Sequence, residues 1–101
     1  MRIKITQEHI DMASPRSRSM TFSPLSLALC EATGILWNVD FDRFYPCGFQ
    51  SLAKRLTGDA YRWLEAYDYN KAIAPEEFEL DVPDIAFITA KIPWDKIKEI
   101  L

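Results

Sequence analysis

The stretch SPLSLALCEATG, residues 23–34, constrains this chain more than any other. Ser23 offers a capping hydroxyl, and Pro24 suits the first helical position, where its missing N–H removes no hydrogen bond. Leu25, Ala28, Leu29 and Ala32 recur at helical spacing and predict one apolar stripe. Gly34 suits the left-handed residue just past a helix end. So short a helix is marginal alone and needs its stripe covered by other elements. The flanking sequence is therefore read for what covers it.

Strand signals lie on both sides. RIKIT, residues 2–6, alternates, with Ile3 and Ile5 on one face and Arg2 and Lys4 on the other. TQEHIDMA adds a helical turn capped by Thr6. ILWNVDF, residues 35–41, places Ile35, Trp37, Val39 and Phe41 on one face. In RFYPCGFQSLAKRL, Pro46 and Gly48 mark a turn, and a short strand is expected over 49–54. Thr57 caps a second helix running to about Tyr69, with Asp59 near its positive end and Leu56, Ala60, Trp63, Leu64 and Tyr67 as its apolar face. EEFELDV points Phe78, Leu80 and Val82 inward and its acids outward, and Pro83 ends it. IAFITAKI reads as a further strand. PWDKIKEIL reads as a short amphipathic helix with Trp94, Ile97 and Leu101 on one side. The order predicts an α+β single domain: a small mixed or antiparallel sheet with two or three helices packed on one face. Residues 1–82 are expected to form the core, and 83–101 a C-terminal extension whose helix packs on it.

Composition narrows the function. The 101 residues are 49% apolar, enough for one core without disulfide or metal staples. Charged residues are 27% and the net charge is −3, which fits neither a disordered chain nor a general duplex DNA binder. Sequence-specific DNA binding is not expected. Cys30 reads as a small buried apolar residue and Cys47 as a loop thiol. His9 is the only histidine, and no CxxC pair or Cys/His cluster exists, so neither a metal nor a cofactor is expected. Arg2 and Lys4 interrupt any leader-like start, and no stretch approaches a membrane span. A reduced, cytoplasmic protein is the expectation.

Two candidate sites emerge. MASPRSRSMTFSPLS, residues 12–26, sets Arg16 and Arg18 ahead of a helix start, where free N–H groups suit phosphate. Arginine forks strengthen such a site, and Ser17, Ser19, Thr21 and Ser26 add hydroxyls. Arg16, Arg18, Ser19, Ser23, Ser26 and His9 thus form a candidate site for an anionic nucleotide. No Walker or Rossmann spacing supports it, and a solvated polar connector is the plain alternative. His9, flanked by Glu8 and Asp11, has no nucleophile at a recognisable spacing and reads as a surface or helix-end residue. Cys47 has no identifiable activating base. No catalytic residue is assigned.

The second candidate is a partner surface. Phe44, Tyr45 and Phe49 surround Pro46 and Gly48 in a predicted loop, and exposed loop aromatics anchor interfaces. Glu77, Glu79 and Asp81 share one face of the acidic strand. They form either a solvent face paired across to Lys4 and Arg2, or a negative patch that docks on a basic surface.

IKITQEHI at 3–10, SPLSLALCEATG at 23–34, YRWLEAYD at 61–68 and EEFELDV at 76–82 together give the chain a resemblance. It resembles a family of small proteins encoded by phages, prophages and some bacteria. In these, a strand and "HI" precede a variable loop, a CPxALAL helix, a Trp-containing helix and an FEFEL strand. Ser23 stands where that family has cysteine, the loop at 12–20 is Arg/Ser-rich rather than glycine-containing, and 83–101 is added. The resemblance implies a phage setting, in which small acidic single-domain proteins often act against host defence. The expected function is a phage-encoded anti-defence protein. It would bind and inhibit a host immune component in the host cytoplasm, without catalysis, through Phe44, Tyr45, Phe49, Glu77, Glu79 and Asp81. The alternative is a sponge for an anionic nucleotide signal, and the third is a small enzyme. A homo-oligomer is left open.

Overall fold

Helix α2, Pro24–Thr33, is the element on which the rest is assembled. A computed structural model describes residues 1–13 and 23–100. The Ser23 hydroxyl accepts the Ser26 N–H at 3.2 Å and caps the helix. Gly34 ends it with φ of 79° and donates its N–H to the Cys30 carbonyl at 2.8 Å. Every residue from Pro24 to Cys30 is buried, so the covered surface is broader than one stripe, while Ala32 is exposed. The reason is that α2 packs against β1 (Arg2–Ile5), α1 (Gln7–Ala13) and β2 (Trp37–Asp40) together.

The strands form two small antiparallel sheets, which corrects the expectation of one. β1 pairs with β5 (Glu76–Glu79), placing Ile3 opposite Phe78. β2 pairs with β3 (Arg43–Pro46), and β3 with the two-residue β4 (Lys54–Arg55). The fold is α+β, and both sheets meet in one core that includes Ile3, Leu29, Trp37, Phe44, Trp63 and Phe78. Buried indoles keep their N–H groups bonded: Trp37 donates to the Thr33 hydroxyl at 2.8 Å and Trp63 to the Ala74 carbonyl at 2.9 Å. The second bond ties the chain leaving α3 (Gly58–Asp68) to that helix before it enters β5.

Two expected strands are absent. Over 49–54, Gly48 at φ of 86° turns the chain into a 3₁₀ turn at Gln50–Leu52, and only Lys54–Arg55 joins the sheet. Over 85–92, Asp84 accepts the Ala86 N–H at 3.0 Å and starts a turn, closed by the Ile88 N–H on the Ile85 carbonyl at 2.9 Å. That segment docks on the core: Ile92 donates to the Gly34 carbonyl at 2.7 Å, and Ile97 of α4 (Trp94–Ile100) is buried.

Candidate functional site

Of the residues expected to hold an anion, Arg16, Arg18 and Ser19 lie outside the described residues. Of the other three, Ser26 and His9 are sealed, and Ser23, though buried, borders the cleft described below. Ser23 and Ser26 are buried and satisfy each other: Ser23 Oγ donates to Ser26 Oγ at 3.1 Å, and Ser26 Oγ donates to the Ser23 carbonyl at 2.9 Å. His9 is 1% exposed, not a surface residue. The Thr6 N–H donates to its Nδ1 at 3.0 Å, which leaves the proton on Nε2, 2.7 Å from the Glu31 carboxylate. Trp94 covers the ring edge-on at 5.3 Å. His9 thus joins α1, α2 and α4 and offers no free nitrogen to a substrate.

The expected partner surface is also corrected. Phe44 and Tyr45 belong to β3, not to a loop, and are 1% and 7% exposed. Their side chains point to opposite faces of the strand. The core takes Phe44, and the Gln50–Leu52 turn folds over the other side, where Gln50 reaches the Tyr45 hydroxyl at 3.4 Å. Phe49 remains exposed and meets Phe87 edge-on at 5.3 Å. The acidic face carries its own cations: Glu77 binds Arg2 at 3.0 Å, Glu79 the Met1 amino group at 2.9 Å, and Asp81 lies 3.5 Å from Lys54.

A different place stays open. The β2–β3 register pairs Asp40 with Arg43 and leaves a two-residue turn, Phe41-Asp42. Such turns favour positive φ at their first central residue, where Gly, Asn or Asp is usual. Here it is Phe41, at φ of 55°. For a bulky residue this conformation is a steric outlier, with a cost of about 1–2 kcal/mol. Packing does not offset it, since Phe41 is 79% exposed. Across from this tip, α3 ends where Asn70 turns left-handed at φ of 56°, which leaves Tyr69 71% exposed.

Between the two lies a cleft of 470 Å³. Val39 and Leu64 give it an apolar floor, Phe41, Tyr61, Tyr67 and Tyr69 line it with rings, and Asp40, Glu65 and Asp68 with carboxylates. Tyr67 stacks on Trp63 at 6.2 Å, so its ring is held by the core. The Glu65 carboxylate raises the Tyr61 phenol above its ordinary pKa, by its charge first and also by a hydrogen bond, which keeps the phenol a donor. No Lys, Arg or His lines the cleft among the described residues. Neither Asp40 nor Glu65 has an ion pair there among the described residues, unlike Glu77, Glu79 and Asp81. A second groove of 320 Å³ contains Asp59 and Arg62, which pair with each other.

Size and lining suit a binding site. His9 and Cys47 line neither cavity, and among the described residues no three His, Cys, Asp or Glu side chains are grouped to hold a metal. No helix among the described residues is long and apolar enough to cross a membrane. Sequence reasoning placed Phe41 on an inward face and left Tyr61 and Tyr69 out of both sites. The available signal was the D-F-D-R turn between two strand-like runs, where a glycine or asparagine would be ordinary. Comparison with family models, with curated proteins and with solved structures finds no match.

Proposed function

We propose that this chain is a non-enzymatic binding module that inhibits a partner protein by occupying it, with the aromatic cleft as its docking face. One observation carries the reading: Phe41 holds a strained backbone at a hairpin tip and exposes its ring instead of burying it. Strain retained without a packing gain points to use at the surface. Tyr69 and Tyr61 stand with it around the same cleft, and aromatic anchors of this kind dominate binding energy at interfaces. The resemblance to small phage-encoded proteins supplies the setting, in which the partner is a component of host immune defence met in the host cytoplasm.

The nucleotide-sponge alternative draws no support from Ser23, Ser26 or His9, whose polar atoms are engaged inside the fold. The test is quantitative capture from bacterial lysate. Phe41→Ala with Tyr69→Ala is expected to lose a protein that the parent and a Phe49→Ala, Phe87→Ala variant both retain. Equal capture by all three would remove the cleft as the docking face.

A further inference from the structure

The cleft combines two features that select one ligand chemistry. Four aromatic side chains line it, Phe41, Tyr61, Tyr67 and Tyr69, and its carboxylates Asp40 and Glu65 have no counter-cation among the described residues. An apolar guest would desolvate these carboxylates without bringing either a counter-cation, which is unfavourable. An anionic guest would meet like charge. A guanidinium satisfies both features, because it stacks on aromatic faces and forks two N–H donors onto a carboxylate. Placement fits as well. Asp40 sits at the base of the hairpin tip and Glu65 on α3, so a side chain entering past the exposed Phe41 and Tyr69 reaches carboxylates from two elements over the floor of Val39 and Leu64.

We infer that the cleft takes an arginine side chain borne on an exposed segment of a partner protein. This rests on the reading of the cleft as a docking face. It adds the chemistry that chooses the partner: a basic surface such as one that contacts nucleic acid, met by a single recessed acidic–aromatic pocket rather than by a broad negative patch. The same pocket excludes phosphates and acidic peptides, so partner choice has a repulsive as well as an attractive part.

The probe is the blocked tetrapeptide acetyl-Gly-Arg-Arg-Gly-amide, titrated into the ¹⁵N-labelled chain at about 50 mM salt, with acetyl-Gly-Glu-Glu-Gly-amide as control. Saturable shifts are expected at residues 40–42, 61, 65 and 69 with the arginine peptide and none with the glutamate peptide. Raising the salt should weaken binding, because exposed charges are screened over about 8–10 Å near physiological strength. Phe41→Ala should weaken it about 2- to 30-fold, the range of one cation–π contact. Asp40→Asn with Glu65→Gln should weaken it further, and Glu65→Gln alone, on an exposed helix face, keeps the test open if the double variant folds poorly. Glu77→Gln with Glu79→Gln should leave it unchanged.

No saturable binding at about millimolar peptide would overturn the inference, as would shifts that map to β1 and β5. Tighter peptide binding by Arg16→Ala with Arg18→Ala would name the chain's own arginines as the occupant and overturn it too. If arginine peptide fails while lysate capture still depends on Phe41 and Tyr69, only the chemistry is wrong. If capture is indifferent to both rings, the docking reading itself has failed.

Discussion

The ribbon of β1 and β5 and the cleft beside α3 are both acidic, and they differ in what faces each carboxylate. On the ribbon side Glu77, Glu79 and Asp81 meet Arg2, the Met1 amino group and Lys54. In the cleft Asp40 and Glu65 share the lining with Phe41, Tyr61, Tyr67 and Tyr69. A density of like charge along the sequence therefore says little about a binding surface, because neighbouring segments can supply the opposite charges, as Arg2 of β1 does diagonally to Glu77 and Lys54 of β4 does to Asp81. A few acids set among exposed aromatics and left without cations among the described residues say more. The β2–β3 hairpin repeats the contrast within ten residues: its arm buries Phe44, and its tip exposes Phe41.

The largest expected effect lies on the closed side. Phe44→Ala should cost about 3–5 kcal/mol and Leu29→Ala about 2–5 kcal/mol in denaturant unfolding, since both leave cavities in a packed core. Melting of Phe44→Ala like the parent would erase the distinction between arm and tip.

The cysteines sharpen the same contrast chemically. Burial first, then the nearby Cys47 and Glu31, push the Cys30 thiol from 9.0 up to about 11. A thiol reagent near pH 8 should therefore label the half-exposed Cys47 well before Cys30. Because the native value lies above the unfolded one, the neutral thiol supports the fold fully below pH 9 and loses that contribution as pH rises through about 11. Cys30→Ala should flatten the alkaline loss of stability in that window, and an unchanged profile would place the thiol outside the core.

A smaller effect of opposite sign is expected at the tip. Phe41→Gly should relieve the left-handed strain and raise stability by about 1 kcal/mol while binding falls. Lower stability together with unchanged binding would make Phe41 an ordinary structural residue. The smallest effect belongs to the ribbon. Glu77→Gln with Glu79→Gln should shift unfolding by less than about 1 kcal/mol, and less still in high salt, because exposed ion pairs contribute little.

How far these features were legible in the sequence follows from their range. Ser23, Pro24 and Gly34 announce α2 because capping is local chemistry, and the alternation of RIKIT and EEFEL gives the faces of β1 and β5. The division into two sheets was not legible, since which strands pair is a long-range choice among short segments. Phe44 and Tyr45 were misread because Pro46 and Gly48 mark the end of β3 rather than a loop around them. His9 was misread because its cover, Trp94 with Glu31, comes from distant segments. The cleft was invisible for the same reason: it is assembled from the hairpin tip, α3 and the residue before α2, none of which signals the others.

If the cleft and not the ribbon is the docking face, crosslinkers on the two surfaces will behave differently. A photo-crosslinking benzophenone amino acid placed at position 41 or at position 77, in chains expressed in bacterial cells and analysed by mass spectrometry, separates the two. A discrete protein adduct is expected from position 41, with the crosslink mapped beside an arginine of the partner, and none from position 77. An adduct from position 77 with none from position 41 would make the ribbon, not the cleft, the docking face.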